Sequence, residues 1–153
     1  MPKAMKIRVI LGSLTGSMML LLGCTNDVDT AVYPIVPTLN LGSQSATSVV
    51  SYQDTLQLSI NYTDGDGDLG GFDEGSALHV KDSRLETSDS YSLERFTPAG
   101  ETLSIRGSLS VLLGPYFRLG NASNEVVTLE LWLTDRNGHE SNRIQTAPIT
   151  ITD

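Results

Sequence analysis

The chain has 153 residues, 39% hydrophobic and 18% charged, with 18 Asp plus Glu against 10 Lys plus Arg for a formal net charge of −8. Such acidity repels nucleic acid and anionic headgroups and favours cations, so no nucleic-acid partner is expected. The single cysteine excludes a disulfide framework, so stability has to come from a packed core or a bound metal.

Residues 1–23 differ in kind from the rest. Lys3, Lys6 and Arg8 precede an apolar stretch from Val9 through Leu22 that is broken only by Gly, Ser and Thr. This is the charged-then-apolar pattern of a signal peptide, and it is set aside from fold reasoning. At about 14 residues it is short of the roughly 20 that a membrane-spanning helix needs. It ends in Leu21, Leu22, Gly23 and Cys24, which resembles the lipobox of bacterial lipoproteins. The resemblance implies lipid on the Cys24 sulfur, a mature chain beginning there, and attachment to a bacterial membrane. An ordinary cleaved signal, or a short membrane helix with a chance cysteine, is the plain alternative. Loss of residues 1–23 would leave 7 Lys plus Arg against 18 Asp plus Glu, a net charge of −11.

Residues 24–37 read as a lipidated N-terminus and tether. TNDVDTAVYPIVP carries two prolines and no sustained period. Fully extended, this stretch reaches about 43 Å at about 3.3 Å per residue. Asp27 and Asp29 loosely resemble the acidic surface-export tags of Bacteroidota lipoproteins.

Residues 38–153 suffice for one domain with its own core. Their dominant period is two. In TLQLSINY, Leu56, Leu58, Ile60 and Tyr62 share one face and Thr55, Gln57, Ser59 and Asn61 the other, which predicts a half-buried strand. TLSIRGSLSVLL repeats this with Leu103, Ile105, Leu109 and Val111 facing in, and EVVTLELWLTD with Val127, Leu129, Leu131 and Leu133. Trp132 then falls on the polar face, so either it is an exposed or edge tryptophan or the register differs. LNLGSQ, ALHV, YSLERF and RIQTAPITI are shorter candidates, and Pro148 predicts an edge or bulge in the last. No convincing helical period occurs. About seven strands with turns between them predict an all-β, antiparallel β-sandwich of immunoglobulin-like type, with a small β-barrel as the alternative.

YTDGDGDLGG, residues 62–71, follows the first of these strands and sets Asp64, Asp66 and Asp68 at alternate positions with glycine between them. Like charges so close raise one another's pKa and destabilise the fold, which a divalent cation would relieve. Calcium takes six to eight oxygen ligands, mostly carboxylates and carbonyls, and is the expected ion. The loop is not an EF-hand: counting Asp64 as the first position, the sixth is Leu69 and the twelfth Gly75. A metal-free polar turn is the bland alternative. A second acidic turn, LTDRNGHESN, holds Asp135, Asn137, Glu140 and Asn142 around Gly138, although Asn137-Gly138 is also a good hairpin turn. If TLQLSINY is strand B and TLELWL strand F of a sandwich, both turns leave at the same end. Asp64, Asp66, Asp68, Asp135 and Asn137 are therefore the expected ligands of one cation. A chain entering strand A would lie close by, as in cadherin-like domains, so the ion is expected to stiffen the join to the tether, with Asp27 or Asp29 as further ligands.

The leader, YTDGDGDLG, the I-x-G-x-L-x-V strand at Ile105 to Val111, and DRNGHESNRIQT together resemble small envelope lipoproteins of Bacteroidota, which carry DGDGDLG and, further along, DRAGNxSNxxxT. The resemblance covers nearly the whole chain. It implies an Ig-like fold and an outer-membrane location, and it brings no activity with it. His139 stands where that family usually has Asn, so no role carries over to this residue.

No catalytic residue is expected. His79 on a candidate strand and His139 in a polar turn accompany no nucleophile motif, and adjacent Asp73 and Glu74 lack the separation of a glycosidase pair. Tyr116, Phe117 and Leu119, beside a turn, are expected to close the bottom of the core. If exposed, with Trp132, they would form a platform for a glycan or an envelope protein. The reading is therefore a lipid-anchored structural or binding module, with an accessory subunit of a secretion, gliding or glycan-uptake complex as the alternative and an enzyme as a distant third.

Overall fold

The computed structural model describes residues 32–153 with the exception of residue 73. The leader, Cys24, Asp27 and Asp29 lie outside the described residues. Within them the chain is all-β. Its strands are β1 (Thr38–Gln44), β2 (Ser48–Val50), β3 (Leu56–Asp64), β4 (Ala77–Asp82), β5 (Ser88–Ser92), β6 (Ile105–Leu113), β7 (Asn124–Val127), β8 (Leu129–Thr134), β9 (Ile144–Gln145) and β10 (Ile149–Thr152).

One layer is the antiparallel sheet β1-β3-β6, and the other is built from β5-β4-β8-β9 and β2-β10-β7. The β2–β10 pair is parallel, while the others are antiparallel. A single apolar core joins the layers. Leu56, Leu58 and Ile60 come from the first, and Leu131, Leu133, Ile149 and Ile151 from the second, all with essentially no exposure. The alternating inward rows of β3 and of β7–β8 are the ones the period of two predicts.

The strand number exceeds the expected seven because two long strands are each broken. One pauses at Thr128 between β7 and β8, where Thr128 and Ser83 exchange hydrogen bonds. The other is interrupted between β9 and β10, where Pro148 has no N–H to donate and the Thr146 hydroxyl accepts from Leu129 N instead. Short β2 escaped the periodicity altogether.

Three further expectations are corrected. In YSLERF the strand ends at Ser92, and the chain turns so that Leu93 O accepts from Gly71 N and Phe96 N donates to Leu69 O. Leu103 does not face in: it lies before β6 and is 45% exposed, because its N–H and carbonyl are drawn onto the acidic loop. Of the aromatic run, Tyr116 is buried, while Phe117 stands exposed, stacked with Tyr52, and Leu119 is exposed as well.

Trp132 keeps the outward phase of its strand and is nevertheless buried, at 6% exposure. Its ring is stacked on His79 of β4, with centroids 4.9 Å apart at 12°. The Arg143 guanidinium lies 3.8 Å from the ring centroid. The register holds; neighbouring side chains supply the cover.

Candidate metal centre

The alternation that buries Leu56, Leu58 and Ile60 runs on through Tyr62 to Asp64, the last residue of β3. Asp64 therefore projects inward by the same geometry as the leucines. Its accessible surface is 0%, and neither carboxylate oxygen has a hydrogen-bond partner. The Asp68 backbone N–H leans toward it without closing a bond. One oxygen each of Asp66 and Asp68 is likewise buried and unpartnered. The three carboxylates each present an oxygen, all within 4.8 Å of one another, a grouping that can hold a metal ion.

The loop is shaped from several sides. Gly67 adopts a φ of 69°, and the space that its Cβ would need is occupied by the Leu103 carbonyl. The Gly67 carbonyl accepts from Thr97 Oγ1 at 2.7 Å. Gly65 is covered by the backbone of Tyr33 and Pro34, and Tyr33 N donates to Ser104 Oγ at 3.0 Å. The segment preceding β1 thus packs directly on the acidic loop.

The second acidic turn arrives at the same pole. Arg136 N donates to Asp68 O at 3.2 Å and Asn137 N to Asp68 Oδ2 at 3.1 Å. The Asn137 side-chain amide reaches Asp66 Oδ2 at 3.4 Å. Arg136 also bonds the Gly70 carbonyl at 2.8 Å. Asp135 is buried, and its carboxylate accepts from the backbone N–H and from Nδ1 of His139, each at 2.8 Å. Glu140 turns outward to Arg143, and Asn142 pins β1 by two bonds to Leu39. All five predicted ligand residues therefore meet at one pole. Asp64, Asp66 and Asp68 form the inner group, Asn137 ties the two turns together, and Asp135 is braced by His139.

The electrostatics reflect crowding that neighbouring donors offset only in part. Burial foremost, and then the charges of Asp66, Asp68 and Asp135, push the Asp64 carboxyl up to about 7. Burial, Asp135 and Asp66 raise that of Asp68, against partial relief from the Asn137 N–H and Arg136. An all-oxygen set of this kind suits a hard divalent cation better than zinc or copper, which prefer nitrogen and sulfur donors.

Sequence reasoning set the incoming chain close to this loop without singling out Tyr33 or Pro34, and it missed Thr97, Leu103 and Arg136. Only the second glycine, with its positive φ, carried a local signal. The others are brought in by segments remote in the chain. No family model matches the chain, and no curated protein matches it.

Proposed function

We propose that the protein is a bacterial envelope lipoprotein, anchored through Cys24, whose Ig-like domain is stabilised by calcium and serves as a structural or binding module. The observation that carries this reading is the Asp64 carboxylate, fully enclosed with both oxygens unpartnered beside two further carboxylates. An uncompensated buried charge is costly, and a cation among these oxygens converts the cost into binding energy. Asp64, Asp66 and Asp68 would ligate through carboxylate oxygens. Asp135 and Asn137 would complete the shell from the second turn, Asn137 by presenting its amide oxygen. The contact of Tyr33 and Pro34 with Gly65 supports the further idea that the ion stiffens the join between tether and domain.

Thermal unfolding of the purified protein with calcium and with chelator tests this. A site specific to the folded state adds about 2.7 kcal/mol at a hundredfold excess over its dissociation constant. That corresponds to an increase in Tm of about 10 °C for a domain of this size. Coincident transitions with and without calcium would end the cation reading. A second reading, an accessory subunit of an envelope secretion, gliding or glycan-uptake complex, is favoured by the stacked, exposed pair Tyr52 and Phe117 at the opposite pole.

A further inference from the structure

The pole opposite the acidic loop carries a cavity of about 190 Å³. Pairing of Asp82 with Leu129, and of Leu113 with Leu56 at the start of β3, puts its residues at the ends of β4, β6 and β8 far from Asp64. The nine residues of β3 separate the two poles by about 26 Å at about 3.3 Å per residue. The tether segment sits on the acidic pole, so this cavity opens on the end of the domain farthest from it.

Its floor is apolar, made of the core residues Val80, Leu113 and Leu129. Its wall comes from edge strand β5, all of whose residues are exposed. The register pairs Asp89 with Val80 and Tyr91 with Leu78, both core residues. Directly paired residues share a face, so Asp89 and Tyr91 point to the inner side of a strand that the opposing sheet leaves uncovered. Phe117 borders the opening with 43% of its surface exposed. Tyr116 is buried, and its hydroxyl has no hydrogen-bond partner.

The donors and acceptors are unevenly committed. The Arg84 guanidinium is spent on Asp82, Glu125 and the Phe117 carbonyl. Asp82 is engaged in return, and Glu125 is further occupied by Leu119 N and Gly120 N. What remains for a ligand is aromatic surface and the Asp89 carboxylate. An anion is repelled by this lining. A ligand with apolar ring faces and several hydroxyl donors matches it, and the volume limits the occupant to about one ring, below the 300 Å³ or more typical of larger ligands.

We infer that this cavity binds one neutral pyranose unit of a glycan, its C–H face against Tyr91 and Phe117 and its hydroxyls bonded to the Asp89 carboxylate. The site is independent of the cation at the other pole.

The test is amide-shift titration of the ¹⁵N-labelled protein with the methyl glycosides of glucose, mannose and N-acetylglucosamine, and separately with tetramethylammonium chloride. A glycoside should produce saturable changes at residues 89, 91, 116 and 117 at millimolar concentration. Tyr91→Ala, and independently Phe117→Ala, should weaken half-saturation about tenfold with Tm unchanged. No saturable change with any glycoside at tens of millimolar overturns the inference. So does tetramethylammonium alone moving these amides, or glycoside binding that neither variant weakens.

Discussion

The carbonyl of Tyr33 occupies the space that a side chain at Gly65 would need. A residue of the segment preceding β1 and a residue of the acidic loop are thereby in backbone contact. Gly65 has no need of a left-handed φ, so a methyl group there tests the contact alone. Gly65→Ala should unseat Tyr33 and Pro34, costing about 1–3 kcal/mol as an overpacking substitution. Exchange of the Tyr33 amide, protected by Ser104, should accelerate. The carboxylates stay in place, so calcium should still raise Tm; a variant with unchanged Tyr33 exchange would refute the seat.

Replacing the enclosed carboxylate should reverse sign with the ion. In chelator above pH 7, Asp64→Asn removes a buried, unpaired charge and should match or exceed the parent in stability, by an amount of order 1 kcal/mol. In saturating calcium the same variant should be the less stable of the two, having lost a ligand. Calorimetry under both conditions reads the crossover, and parallel curves would argue against Asp64 as a ligand.

The metal-free domain should also weaken as pH rises. The Asp64 carboxyl is raised from 3.8 to about 7 by folding, so the folded state binds the proton more tightly than the unfolded chain. Its contribution is fully present below about pH 4 and is lost progressively up to about pH 7, worth a few kcal/mol at most. Tm in chelator should therefore be higher at pH 5 than at pH 8 as far as this group is concerned. Saturating calcium, which requires the ionised form, should remove or invert the trend.

Trp132 offers an intrinsic reporter, because the chain has only one tryptophan. Its stack on His79 and its cover by Arg143 predict emission typical of a shielded indole. Arg143→Ala should expose the ring, shift emission to the red and cost about 0.5–1 kcal/mol. Unchanged emission would show that Arg143 contributes no cover.

Much of this architecture was legible in the order of residues, since a β-strand writes its buried face every second position. The rows of β3 and β7–β8 follow from that rule, and extending the β3 row by one step reaches Asp64 and predicts its inward direction. Leu103 broke the rule because its N–H bonds a distant loop, at Asp66 O, ahead of the strand. Trp132 obeyed it and was still buried, because its cover comes from His79 on a neighbouring strand and Arg143 beyond the next turn.

Local periodicity and turn chemistry were thus enough for an all-β sandwich, its inward rows and two acidic turns. Whether those turns meet, whether Asp64 finds a donor, and what lies against Gly65 depended on the three-dimensional packing. These are contacts between segments far apart in the chain, set by strand pairing and by the way the two layers close. A carboxylate's direction is a property of its strand, but its lack of partners is a property of everything packed around it.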